Sequence, residues 1–111
     1  MEIVESRQGA VTVLKPVGPL VQADAAQFRD GVGDATGRSM GRLVIDASQI
    51  PYVDSQGLEA LLAASDLLGA GGRTLRLCGV SETVREVLDL TGLADRFEIF
   101  EDSTQAVRSF L

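Results

Sequence analysis

The sequence contains no histidine and one cysteine, Cys78. Without histidine the chain lacks the commonest general base and the commonest transition-metal ligand. A zinc site would need an unusual ligand set. A lone cysteine forms no internal disulfide, which fits a reducing compartment. Lysine is nearly absent as well: every basic residue except Lys15 is arginine, and the basic residues form no block. With a net charge of −6, binding of nucleic acid through a basic surface is disfavoured, because the phosphate backbone would be repelled. No apolar run approaches the roughly 20 residues needed to cross a membrane. The start, Met1-Glu2-Ile3-Val4-Glu5, lacks the basic opening and apolar core of a signal peptide. A cytoplasmic location is therefore expected, with no membrane insertion. Gly71-Gly72 lacks the Lys-Ser/Thr of a phosphate-binding loop. Repeats, low-complexity runs and linkers are also missing, so residues 1–111 read as one domain. A chain of this length can bury about two-thirds of its surface, and its 45% hydrophobic content suits a packed core.

What is present is organised around Tyr52-Val53-Asp54-Ser55-Gln56-Gly57-Leu58-Glu59-Ala60-Leu61-Leu62. A short apolar run, Leu43-Val44-Ile45-Asp46, leads into it and reads as a central strand buried on both faces. Leu58, Leu61, Leu62 and Leu68 repeat with the period of one helix face and are expected in the core. Asp54 is a natural N-cap for that helix. Ser55 then stands at the positive end, where an anion is favoured, so its hydroxyl suits reversible addition of a phosphate. From the residues alone two roles stay open for Ser55: phosphate acceptor, or unmodified residue at a helix start. For Asp54 the choice is between capping and a carboxylate pair with Asp46 for acid–base chemistry or Mg²⁺. No nucleophile–base pair accompanies that second option, so no catalytic residue, cofactor or metal is expected.

In chain order, residues 3–6 and 10–15 predict two strands joined at Arg7-Gln8-Gly9. The breaker cluster Lys15-Pro16-Val17-Gly18-Pro19 is expected to end the second. Asp24, with Gln27 three residues on, predicts the cap of a helix whose inner face is Ala25, Phe28, Val32 and Ala35. After the Ser55–Leu68 helix, Gly69-Ala70-Gly71-Gly72 marks a stop. Thr74 to Cys78 predicts a strand. Ser81 caps a helix with Val84, Val87, Leu88 and Thr91 on one face. Phe97 to Phe100 predicts a last strand, and Asp102-Ser103 a last helix. Two strands followed by alternating helices and strands imply a largely parallel sheet with a hairpin at one edge.

At this point the chain resembles the STAS domain, and within it the bacterial anti-sigma-factor antagonists. The resemblance runs over nearly the whole chain. It is carried by Val44-Ile45-Asp46, then Val53-Asp54-Ser55-Gln56-Gly57-Leu58, then Leu75-Arg76-Leu77-Cys78-Gly79-Val80 with the helix ending in Thr91-Gly92-Leu93. Gly18-Pro19-Leu20 and the terminal helix add weaker matches. The resemblance implies an α/β fold: a single STAS-like domain with a mixed, mostly parallel sheet of about five strands flanked by about four helices.

It also implies a function in transcription regulation by partner switching. The protein would bind an anti-sigma factor with serine kinase activity and so free a sigma factor. Phosphorylation of Ser55 would switch it off, and a cognate phosphatase would restore it. Asp54, Ser55, Gln56, Gly57 and Glu59 would form the docking surface. The chain would act as a monomer or weak dimer and without turnover. Two positions depart from the family pattern. Gln56 stands where a second hydroxyl residue is often found, and Val21 where an acidic residue is usual. The alternative is a STAS assembly module of a lipid-transport complex or sensory scaffold, using the same surface without phosphorylation.

Overall fold

The computed structural model describes residues 1–111. Five strands form one sheet in the order β1-β2-β3-β4-β5. They are β1 (Glu2–Gln8), β2 (Val11–Val17), β3 (Leu43–Asp46), β4 (Leu75–Cys78) and β5 (Phe97–Phe100). β1 is antiparallel to β2, and every later pairing is parallel. Four helices connect or follow the strands: α1 (Gln22–Ser39), α2 (Ser55–Ala70), α3 (Glu82–Leu90) and α4 (Ser103–Arg108).

β3 is central because Leu43, Val44 and Ile45 are apolar on both faces of the pleat. Leu43 and Ile45 point into the larger core with Phe28, Val32, Leu61, Leu68, Val84 and Leu88, so α1, α2 and α3 share one face of the sheet. Val44 points into a smaller core with Val11, Val13, Cys78 and Ala106, which α4 covers from the other side. Arg76 fastens α4 there. Its guanidinium lies 3.8 Å from the ring centroid of Phe110, and its Nε donates to Ser109 Oγ at 2.7 Å.

Several expected boundaries move. The helix expected to start at Asp24 begins at Gln22, with Val21 at the N-cap position and no cap from its own side chain. Asp24 instead meets the amino group of Met1 at 2.9 Å, and Gln27 Nε2 donates to the Met1 carbonyl. The local capping box is thus replaced by longer-range partners. β2 runs on through Pro16, opposite Ile3 of β1. Its ladder with β3 stops at Leu14–Ile45, so the missing proline N–H interrupts nothing on that side. α2 continues through Gly69 to Ala70. Its buried residues are Gly57, Ala60, Leu61, Ala64, Ser65 and Leu68, so Leu61 and Leu68 of the expected stripe lie in the core. Leu58 and Leu62 sit half-buried at the margin. Small residues take the inner line because α1 lies against α2, and Gly and Ala permit close approach.

Candidate phosphoacceptor site at the start of α2

The segments that precede α1 and α2 are tied together. Leu20 forms an isolated parallel bridge with Val53. Leu20 N–H donates to the Tyr52 carbonyl at 3.1 Å, and Asp54 N–H to the Leu20 carbonyl at 3.3 Å. This junction sets the starts of two long helices side by side.

Asp54 joins them. Its Oδ1 accepts from Gly57 N–H in the first turn of α2 at 2.7 Å. Its Oδ2 accepts from Gln22 N–H, the first residue of α1, at 2.9 Å. One carboxylate therefore satisfies free N–H groups of both helices, which an ionised oxygen pair does well. These backbone donors, Gly57 first and Gln22 next, hold the Asp54 carboxyl below its usual range.

Ser55 follows as the first residue of α2 and is exposed. Its hydroxyl makes no hydrogen bond within the chain, unlike those of Ser65 and Thr36. Gln56 is half-buried, and Glu59, one turn further, is exposed. Gly57 differs from these. It is buried, and a Cβ added to it would lie 1.9 Å from the Leu20 carbonyl oxygen. Its lack of a side chain lets α2 start directly against the Leu20 backbone. Gly57 thus belongs to the framework beneath the surface that Ser55 and Glu59 present. Val21 is half-buried at the head of α1, and Tyr52 is 51% exposed on the approach to α2.

The second carboxylate considered above, Asp46, accepts from Ser48 N–H at 3.0 Å in the turn after β3. Asp46 and Asp54 are each occupied by backbone donors of their own turns. No group of three His, Cys, Asp or Glu side chains is arranged to hold a metal ion.

Gln22 and Leu20 were not recognisable as site residues from spacing alone. The contact that makes them so spans 32 residues, and capping rules look only a few residues along the chain. The signal available was Gly18-Pro19-Leu20, which marks a fixed turn before α1.

Comparison with known proteins agrees with this architecture. The family model for the STAS domain matches residues 3–106. BtrV of Bordetella bronchiseptica, assigned as an anti-sigma factor antagonist, is 26% identical over 93 residues, covering 84% of this chain and 80% of BtrV. Among solved structures, TM1081 of Thermotoga maritima superposes with a TM-score of 0.88 at 21% identity, over 96% of this chain and 92% of that one. SpoIIAA of Bacillus, solved in its phosphorylated form, superposes with a TM-score of 0.72 at 18% identity, over 99% and 100% of the two chains. A part of the murine anion transporter Slc26a9 has the fold too, with a TM-score of 0.77 at 22% identity, over 95% of this chain and 18% of the transporter. At these identities the solved structures speak to the fold alone. The family match covers β2 to β5, all of β1 but Glu2, and the whole of α1, α2 and α3, and the chain belongs to the STAS domain family.

Proposed function

We propose that this STAS domain is an anti-sigma factor antagonist, which docks on a serine-kinase anti-sigma factor through the head of α2 and is switched off by phosphorylation of Ser55. The observation that carries this reading is the exposed, unengaged Ser55 hydroxyl at the first position of a helix whose start is pinned twice by Asp54. An acceptor for phosphoryl transfer must present its oxygen to a partner's active site without unfolding, and a doubly capped helix start does that. In the step itself the Ser55 oxygen would bond the γ-phosphorus of ATP and the bond to ADP would break. The hydroxyl proton would pass to a base of the kinase. A phosphatase would reverse the modification by hydrolysis, and the antagonist itself would catalyse nothing. The names of BtrV and of phosphorylated SpoIIAA support the same reading.

The new phosphate would add about −1.5 to −2 charges. The helix start favours an anion there by about 0.3–1 kcal/mol, and the neighbouring Asp54 and Glu59 oppose it by a similar amount. The fold therefore tolerates the modification. A partner packed over Ser55 would have to desolvate the dianion, at several kcal/mol if it stays unpaired. The switch blocks docking and leaves the domain folded. The test is calorimetric affinity for the cognate anti-sigma kinase. Ser55→Ala should bind like wild type and stay bound in ATP, whereas Ser55→Asp should bind tenfold or more weakly, about 1.4 kcal/mol. Equal affinity of all three proteins would reject the switch.

A second reading is a phosphorylation-independent assembly module, favoured by Val21 and Gln56 at positions where the family commonly carries an acid and a hydroxyl, and by the transporter segment with the same fold. Equal affinities would support it.

A further inference from the structure

The carboxyl end of β5 carries an apolar cleft that the phosphoacceptor site does not use. β5 is an edge strand of the sheet, and there the two layers part. Ile99 packs toward the larger core and Phe100 toward the smaller one. Between them and Val80, at the turn from β4 into α3, lies a cleft of about 300 Å³. Val80, Ile99 and Phe100 are each half-buried, so apolar surface faces the opening. A second cleft adjoins the first along the outside of α3, because Val80 and Arg85 line both. Leu90, the last residue of α3, lines that second cleft and is 79% exposed, more than any other large apolar residue except the terminal Leu111.

The rim of these clefts is acidic. Glu101 lines the first, and Glu82, Glu86 and Asp89 line the second, against the single cation Arg85. Each cleft has six lining residues and two are shared, so four of ten are acidic, compared with 16 of 111 in the whole chain. Four acids against one arginine place half of the net charge of −6 on this face. The placement also runs against helix chemistry. Glu82, Glu86 and Asp89 stand at i, i+4 and i+7 on one stripe of α3, where like charges oppose each other. Asp89 lies at the negative end of the helix dipole, and the last turn holds no basic residue. Arg85 answers Asp89 alone, at 3.3 Å. Packing does not require these acids, since Val84 and Leu88 supply the buried face of α3. A local cost without a packing gain points to function.

We infer that this face docks a basic protein segment, which seats one apolar side chain among Val80, Ile99 and Phe100 and sets its lysines or arginines against Glu82, Glu86 and Glu101. Charge complementarity selects this occupant. An acidic segment or an anionic membrane surface would be repelled, and so would a second copy presenting the same face. No residue of α2 lines either cleft, so docking here is separate from the Ser55 switch.

The experiment is an amide NMR titration of the ¹⁵N-labelled full chain with the capped peptide Lys-Lys-Leu-Lys-Lys. Saturable shifts are expected at Val80, Arg85, Glu86, Leu90, Ile99 and Glu101, while α1 stays silent. Glu86→Gln relieves repulsion from Glu82 and Asp89, so its melting temperature should equal or exceed that of wild type while its affinity for the peptide falls roughly threefold. Adding Glu101→Gln should bring the loss to roughly tenfold. Asp30→Asn combined with Asp34→Asn takes two charges from α1 and should change nothing. Lys-Lys-Gly-Lys-Lys, which lacks the apolar side chain, should bind roughly fivefold more weakly. Shifts that never saturate or that spread over α1 would overturn the assignment. So would unchanged affinity in the Glu86→Gln, Glu101→Gln double variant. Equal binding of Lys-Lys-Gly-Lys-Lys would reduce the contact to charge alone, and equal binding of Glu-Glu-Leu-Glu-Glu would remove the charge argument; either result overturns it. Concentration-dependent shifts at these amides without peptide would overturn it as well, by assigning the clefts to a second copy of the chain.

Discussion

Replacing Gly57 by alanine tests whether the head of α2 is held by backbone contact. A helix interior ordinarily gains up to about 1 kcal/mol from Gly→Ala, so a stabilising effect is the naive expectation. The structure reverses the sign. A Cβ at 57 would stand 1.9 Å from the Leu20 carbonyl oxygen, and real Cβ contacts essentially never fall under 3.0 Å. The two backbones must separate by at least 1.1 Å, the difference between those distances. Neither side yields cheaply. Leu20 is fully buried and bridged to Val53, and Gly57 N–H is held by Asp54 at 2.7 Å. Overpacking of this kind costs about 1–3 kcal/mol, and the strained junction adds to it. Against the small propensity gain, the net loss is about 2 kcal/mol, or roughly 8–10 °C in melting temperature for a domain of this size. Urea and thermal unfolding followed by far-ultraviolet circular dichroism measure both. Gly57→Ala as stable as wild type would refute the reasoning. If that variant also lost its binding partner, Gly57 would be a contact residue and not framework.

Acid should destabilise the domain through Asp54 and Glu5, whose carboxyls are lowered by backbone donors and by Arg38 respectively. Their contribution is present above the unfolded carboxyl range near pH 4 and is lost as pH falls through their lower folded values; urea midpoints at stepped pH should show this, and Asp54→Asn should flatten part of the fall. The Cys78 thiol is buried and pushed up to about 12 by desolvation, with Asp46 and Asp102 adding to it. Its contribution is present below the unfolded thiol value near 8.5 and is lost as pH rises toward 12; Cys78 should resist a thiol reagent at pH 8 in the native state and react fully in urea. Phe110→Ala removes the ring under Arg76 and should cost about 2 kcal/mol in urea unfolding, with faster thiol labelling because α4 no longer seals the Cys78 side of the sheet.

The order of the elements was legible because each rests on local chemistry. Ser81 caps α3 through Val84 N–H and Asp102 caps α4 through Gln105 N–H, as their spacing implies. Leu43-Val44-Ile45 reads as a central strand because a short apolar run with β-branched members suits a strand covered on both faces. Ala25, Phe28, Val32 and Ala35 are all buried on one side of α1. The failures share a cause. The start of α1 was misplaced because its cap comes from Asp54, far along the chain. Of the α2 leucines, Leu61 and Leu68 are buried as expected, whereas Leu58 and Leu62 are only half-buried. Against α1 the inner positions go to Gly57, Ala60 and Ala64, and Leu58 and Leu62 are pushed to the margin. The role of Gly57 was hidden for the same reason, since nothing in its neighbours announces the Leu20 carbonyl above it.

The donors around Ser55 bear on how a charge there would be felt. Asp54 already holds Gly57 N–H and reaches across to Gln22 N–H. Leu58 N–H is bound to the Asp54 carbonyl. A phosphate on Ser55 thus meets a helix start whose best donors are taken, beside a carboxylate that is ionised at neutral pH. None of the proposed contact residues is basic. Such a dianion would gain little by folding inward and would stay in solvent, where hydration stabilises it. It would then project into the space that the proposed partner must occupy. The double cap by Asp54 would also keep a phosphate on Ser55 from being absorbed by the domain, and under the proposed switch that would direct its effect outward, to docking.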